Sequence, residues 1–529
     1  MQQTQPPICT HPAGESVLDP LGRSPGWPVD TPGGRYFAEF DDESPTTREG
    51  QLIFFAQFLH TGGRWDRFLK NCPLSYTGNR GSSVVDVLGT ATLSILCGHW
   101  RYAHINAVRG DSLNPPLLGM SGTVSEDVVR RAMRRIDETK GNEWLAGELR
   151  ACIEPVLSQQ WILDIDSTVK TIYGHQEGAR IGYNPHKPGR PSHVYHSYFM
   201  ANTRLCLGVE VKSGKENAPK YGLDGMWKML EGLPRTHWPA FLRGDSAYGN
   251  EALLSEAERR AVPYLFKLRH SGKVKTLVTQ MQRAGALWED AGDGWEVLQT
   301  TIRLSGWTRT RRVVLVREAP AIAPMGENAR RRRDTMEPIL PGLVDLKASA
   351  SPWSGKIAVL VTSLDEDAYP APVLARLYRE RADAENIYDE LKNQWGWSGF
   401  TTQRLGPCQL MANLVALIYN WWHLYARLFD GEHHREAITS RPELLGGVAR
   451  MTRHSGQTTV KVSLQHKNGA QIAQAITMVS STLQRLNAIA EQWTILQRWT
   501  LLLTHILRRW LGGKWLGQLP PEAAQFLSG

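Results

Sequence analysis

Cysteine is scarce and scattered in this chain. The six in 529 residues, Cys9, Cys72, Cys97, Cys152, Cys206 and Cys408, include no C-x-x-C pair. Neither a zinc site nor a disulfide framework is indicated, which fits a reducing cytoplasm. Long apolar runs are missing too. The longest, Leu414 to Leu428, is interrupted by Asn420, His423 and Arg427 and is too short to cross a bilayer, so it is expected as a buried helix with no membrane partner. The N-terminus lacks the basic-then-apolar order of a signal peptide. No Gly-x-Ser-x-Gly elbow occurs. The spacing from Gly208 to Gly214 is one residue too long for a P-loop, and no Ser or Thr follows Lys215, which excludes that mode of ATP binding. His193 and His196 are three apart in an expected strand and point to opposite faces, a poor metal pair. No internal repeat is present.

Acidic residues are outnumbered. Lys and Arg total 61 against 52 Asp and Glu, a formal charge of +9, which suits a polyanionic partner. Nineteen Trp serve cores and base stacking equally well, so composition does not separate the two uses.

What is present begins with Leu377 to Trp397, LYRERADAENIYDELKNQWGW. Tyr378, Arg381, Glu385 and Lys392 stand at offsets of 3, 7 and 14. On one helix, at about 100° per residue, they fall within roughly a 60° arc. An acid, two cations and a phenol on one stripe can hold a metal and grip phosphates at once. The same spacing also suits a solvated helix with ion pairs such as Arg381 with Glu385.

Two upstream segments favour the first reading. In WILDIDSTVKTIYG, from Trp161 to Gly174, alternation puts Asp164 and Asp166 on one face of a strand and Leu163 and Ile165 on the other. A carboxylate there costs desolvation unless it is paired or binds a cation. In FLRGDSAYGN a short apolar strand ends at Asp245. Carboxylates at strand ends, with a third from a helix, can converge on two divalent cations about 4 Å apart.

The order D…D…E, with Y-x2-R-x3-E-x6-K around the last acid, resembles the DDE transposases of bacterial insertion sequences. More narrowly, DIDSTVKTIYGHQEGARIGYNPHKPGRPSH at 164–193 resembles the thirteen-eighty family within the group-four assemblage. The resemblance runs from about residue 80 to about residue 430. It implies Asp166, Asp245 and Glu385 as catalytic, metal-binding residues for two Mg2+ ions, with Mn2+ as a substitute. Asp166, which precedes Ser167 and Thr168, fits the family pattern better than Asp164. The nearest competitors are Asp164 and Asp389. Tyr378, Arg381 and Lys392 become signature residues near DNA phosphates. The implied activity is cut-and-paste transposition on the element's terminal inverted repeats and a target duplex. Related enzymes pass through a DNA hairpin and work as homodimers, here in a bacterial cytoplasm at the nucleoid. Two other readings stay open: a structure-directed nuclease on the same core, and a non-catalytic DNA-binding protein derived from a transposase.

The expected fold class is α/β. A ribonuclease-H-like catalytic core is interrupted by a β-rich insertion, with helical regions at both ends. Residues 1–45, rich in Pro, Gly and acids, read as a mobile leader. Residues 46–150 read as a helical DNA-binding region. There T-V-S-E from Thr123 is an expected capping box. On the helix that follows, Arg130, Arg131, Arg134 and Arg135 share a face able to dock on DNA. Residues 155–270 read as the first part of the core. Strands are expected at 160–167, 194–200, 204–212, 240–245 and 262–268, and helices at 220–231 and 249–259. The span between Asp245 and Glu385 exceeds an ordinary connection. Its strand patterns suggest an insertion domain at 271–370, with the run Arg330 to Arg333 in an exposed loop. Residues 371–430 complete the core, and 431–529 read as mainly helical. The loop Tyr173 to His193 carries Arg180, Lys187 and Arg190 beside the first catalytic strand, placed to hold a DNA end. Trp307, just past the Ser305-Gly306 turn, is the base-stacking candidate, with Trp353 second.

Overall fold

In the computed structural model, residues 27–32, 34–38, 45–76, 81–319, 357–431, 433–464, 466–489 and 493–517 are described. Fifteen strands are present among them. They are β1 (Trp27–Thr31), β2 (Gly34–Ala38), β3 (Thr46–Thr47), β4 (Ile162–Thr171), β5 (Arg180–Ile181), β6 (Pro191–Met200), β7 (Leu205–Ser213) and β8 (Phe241–Gly244). They continue with β9 (Tyr264–Lys267), β10 (Glu289–Gly292), β11 (Trp295–Ile302), β12 (Arg311–Glu318), β13 (Ala358–Thr362), β14 (Val448–His454) and β15 (Gln457–Ser463). Ten of them form one mixed sheet, in the order β10-β11-β12-β13-β9-β8-β4-β6-β5, with β7 also paired to β6.

The centre of this sheet matches the expected element order. β4, β6 and β7 pair antiparallel in succession, while β4, β8 and β9 run parallel. The helices Lys220–Glu231 and Glu251–Arg259 make the crossovers that parallel neighbours require. Their apolar residues, including Met226, Leu230, Leu253 and Leu254, join Leu163 and Ile165 in the main core.

The strands expected to form an insertion domain do not make a sheet of their own. β13 pairs antiparallel with β9, and β12 and β11 follow, so 295–362 continues the central sheet. Buried Val297, Val314, Val316 and Leu360 share a core with Ile162, Phe241 and Leu265. Val and Ile alternation on these strands buries best against an existing sheet edge. The Arg330–Arg333 run and Trp353 lie outside the described residues.

The helix Leu405–Ala426 is buried along nearly its whole length, Trp421 and Trp422 included. The helices Leu52–Thr61, Val84–Leu96 and Glu138–Ile153 contribute to the same core, so the N-terminal helical region is part of one packed body. The polar side chains of the buried helix have a use. Asn420 accepts from the Cys206 amide at 2.8 Å and donates to its carbonyl at 2.7 Å. Gln409 treats Val211 N and Val209 O the same way, each at 2.6 Å. Side-chain amides thereby close the exposed ladder of edge strand β7. No helix among the described residues is long and apolar enough to cross a membrane.

Three further features depart from or add to the expected elements. β1 and β2 form an antiparallel hairpin inside the segment read as a leader. β14 and β15 form another within the region read as mainly helical, and β14 also pairs with β3. The helix Glu126–Arg135 is capped by Ser125, whose Oγ accepts from Val128 N at 3.4 Å, and not by Thr123. Thr123 donates instead to Arg109 O.

Candidate active site

Tyr378, Arg381, Glu385 and Lys392 do not share one helix. The stretch is two helices, Ala371–Arg379 and Ala382–Asn393, with Arg381 at the junction. The cause is Arg243 of β8, whose Nη1 donates to Leu377 O. In an unbroken helix that carbonyl would take the Arg381 amide, which bonds Tyr378 O at 3.0 Å instead. Both helices lie on the sheet face that carries Asp164 and Asp166. The first packs Leu374 and Ala375 on Ile162 and Phe241. The second sets Tyr388 against Phe199 and bonds its hydroxyl to Ser197 Oγ at 2.6 Å.

The two strand acids come together. β4 and β8 run parallel, with Ile165 level with Gly244, so Asp166 and Asp245 leave adjacent strands side by side. A Cβ on Gly244 would stand 3.1 Å from Ile165 Cγ1 and from Tyr248 Cδ2, so glycine permits this close approach. Asp166 Oδ1 accepts from the Ser167 amide at 2.7 Å, and Asp245 Oδ1 from the Ala247 amide at 2.9 Å. Arg381 Nη2 reaches across from the helix junction to Asp166 Oδ2.

The electrostatics follow. Burial pushes the Asp166 carboxyl up to about 6; Arg381 opposes this, and the charge of Asp245 adds to it. Burial lowers the pKa of Arg381, but Asp166, Tyr378 and Asp245 outweigh it and hold the guanidinium charged. Burial lifts Tyr378 to about 12, with Arg381, Asp245 and Asp166 all acting on it. Burial lowers Lys392, opposed by Asp389 and Asp166. Tyr378, Arg381 and Lys392 therefore all sense Asp166. Glu385 sits on the second helix between Arg381 and Tyr388, the two residues that touch the Asp166 strand pair.

The residues fit a hard cation. The donors at Asp166 and Asp245 are all carboxylate oxygens, and their mutual repulsion is what a divalent ion would relieve. The competitors are otherwise engaged. Asp164 is 3 % exposed and bidentate to Arg243, at 2.6 and 2.7 Å. Asp389 is exposed and accepts from Asn393 at 2.7 Å. Sequence reasoning missed Arg243, Tyr248, Ser197 and Tyr388. The RGD of FLRGDSAYGN, an arginine inside an apolar strand, was the available signal for Arg243.

The remaining candidates stand on other elements. Arg180, on the short edge strand β5, and Lys187 and Arg190, on the loop that follows it, are exposed, with Lys187 and Arg190 at 5.4 and 5.9 Å from the exposed Tyr173 ring. Arg131, Arg134 and Arg135 are exposed, whereas Arg130 is bound to Glu126 and Asp127 and lies over Tyr102. Trp307 is not exposed. It is 6 % accessible, beneath the Arg311 guanidinium at 4.8 Å. Its turn is folded onto the helix Glu251–Arg259, where Glu251 accepts from the Thr308 amide at 2.9 Å. A ring held there has no free face for a base.

Comparison with known proteins gives a family. The family described as Transposase DDE domain matches residues 157–421, half of the chain. Among solved structures, a piggyBac transposase synaptic complex with hairpin DNA aligns at a TM-score of 0.37 and 11 % identity, over 84 % of each chain. A search of the curated proteins finds no match.

Proposed function

Because the chain belongs to the transposase DDE-domain family, we propose that it is a DNA transposase that binds the terminal inverted repeats of its own insertion sequence, cleaves them and joins them to a target. The observation that carries this reading is the pairing of Asp166 and Asp245 on adjacent parallel strands, with Arg381 bonded across from the helix that bears Glu385. The strand order β7-β6-β4-β8-β9 supports a ribonuclease-H-like core. The Y-x2-R-x3-E-x6-K spacing supports affiliation with the group-four elements.

Asp166, Asp245 and Glu385 would hold two divalent ions of the magnesium class. When bound, such a pair supplies an activated oxygen nucleophile and charge stabilisation for the leaving oxygen of an in-line displacement. The protein's own contribution is positioning. Arg381 and Lys392 neutralise phosphate oxygens beside the scissile bond. Tyr378 stays protonated at neutral pH and offers a hydroxyl donor to a phosphate. Arg180, Lys187 and Arg190 hold the DNA end from the neighbouring loop, and the Arg131, Arg134 and Arg135 face meets the backbone farther off. Two chains working together would bring both element ends into one complex.

The test is incubation of pre-cut element ends with target DNA and a divalent metal. Joined product is expected, and it should vanish in EDTA and in Asp166→Asn. Cleavage without joining would leave a nuclease, and binding without either would leave a DNA-binding protein.

A further inference from the structure

The helix Ala382–Asn393 has a second functional face. Glu390, five residues beyond Glu385, lies roughly 140° around the helix from it. It is 1 % exposed and points into the protein. There it meets His423 of the helix Leu405–Ala426 and His434 of the segment that follows that helix. His423 Nε2 is 2.9 Å from Glu390 Oε1, and His434 Nε2 is 2.8 Å from Oε2. The two imidazoles stack with centroids 4.4 Å apart, so both Nε2 atoms face the same carboxylate. One ligand-competent atom from each residue lies within 4.8 Å of the others.

We propose that Glu390, His423 and His434 form a site for a transition-metal ion of the zinc class, separate from the Asp166–Asp245 site. Two imidazoles and a carboxylate are a donor set for zinc or cobalt, not for magnesium, which takes oxygen ligands. The carboxylate is oriented independently of the histidines. Trp395 Nε1 donates to Oε1 at 2.9 Å and the Ala437 amide at 3.0 Å. Such outer contacts fix a metal-binding carboxylate in place, and here they remain when the imidazoles turn their lone pairs to an ion. Each neutral ring then carries its one proton on Nδ1, and the His434 Nδ1 has no hydrogen-bond partner to lose. His434 also lines a cavity of about 440 Å3, with Asn202, Thr203, Arg243 and Trp510 among its other walls. His434 thus borders open space, while Glu390 and His423 are enclosed. A bound ion would tie the Glu385 helix to the long buried helix and to the segment carrying His434. Its place is structural, setting the pose of the helix that completes the active site.

The experiment uses full-length protein stripped with EDTA, reloaded with Zn2+ or Co2+ and dialysed. Metal content is measured by mass spectrometry, and the ligand set by X-ray absorption and the visible bands of Co2+. One retained ion per chain is expected in wild type and equally in an Asp166→Asn, Asp245→Asn double variant. His434→Ala should weaken retention by at least about tenfold. Wild-type absorption spectra should show two imidazoles, a reading that needs no variant to fold. No retained ion in wild type, or an all-oxygen six-coordinate spectrum, would overturn the site. So would an ion kept by folded His434→Ala and lost from the double variant.

Discussion

Asp164 and Asp166 stand two residues apart on the same face of one strand, and each faces an arginine. The resemblance ends there. Asp164 and Arg243 are 5 % and 3 % exposed at their side chains, and both carboxylate oxygens are taken by one guanidinium. Asp166 keeps 17 % of its side chain exposed and meets Arg381 through one nitrogen, with Asp245 alongside. The first pair is closed and its charge is spent on packing. The second is open and short of positive charge, which is the state a metal ligand needs. Two acids of identical pattern thus divide into a closed pair and an open one according to whether the neighbouring strand supplies a dedicated cation.

The largest expected effect concerns cleavage. Asp166→Asn, Asp245→Asn and Glu385→Gln should each abolish strand cleavage of element-end DNA while leaving end binding largely intact. If folded Asp164→Asn lost cleavage and Asp166→Asn kept it, the contrast would be inverted.

Stability should divide the two acids the other way. Asp164→Asn leaves Arg243 buried without its counter-charge and should cost about 3–5 kcal/mol in denaturant unfolding. Arg311 is a second closed arginine, bonded to Glu251 and Glu258 over Trp307. Trp307→Ala should therefore also cost roughly 3–5 kcal/mol, with nicking and any hairpin product falling together. Loss of hairpin product alone, in a fully stable variant, would restore a stacking role for that ring.

Asp166→Asn should cost less stability at neutral pH than Asp164→Asn, because relief of the buried carboxylate offsets the lost counter-charge of Arg381. The Asp166 carboxyl sits near 6 in the folded chain against 3.8 for an unperturbed group. A raised folded pKa gives stability that is present below 3.8 and lost as pH rises through 6. In EDTA, Asp166→Asn should thus gain stability relative to the parent between pH 4 and pH 7, by about 1–3 kcal/mol. Unfolding curves at pH 4 and pH 7 test this, since the gain should disappear at the lower pH.

The smallest effect lies at the surface. Replacing Arg131, Arg134 and Arg135 with Ala should weaken end binding and flatten its salt dependence, by about 0.9 in slope for each phosphate that is no longer neutralised. Arg130→Ala should do less, because Arg130 is already paired with Glu126 and Asp127. An unchanged slope in the triple variant would make this face an ordinary solvated one.

The central strands and their two crossover helices were legible because alternation of period two and a 3.6-residue stripe are local patterns. The helix expected at 220–231 is found at Lys220–Glu231. The hairpin of β14 and β15 was equally local, with Ser455-Gly456 at its turn, and was missed only because helical patterns flank it. The break at Arg381 was not local. It depends on a guanidinium more than a hundred residues upstream, and helical periodicity carries no trace of it. Nor could a pattern show that Asn420 within the apolar run, and Gln409 ahead of it, close a strand edge.

By itself, then, the sequence determined the central strands, their two crossover helices, and the spacing of acids and cations along the chain. Those follow from steric and hydrophobic preferences that act within a few residues. Only the tertiary structure decided that Asp164 gives both oxygens to one arginine and Asp166 gives one, that Trp307 is covered, and that Glu390 meets two histidines. Charge pairing and burial depend on what the fold brings within a few ångströms, and chain distance says nothing of that.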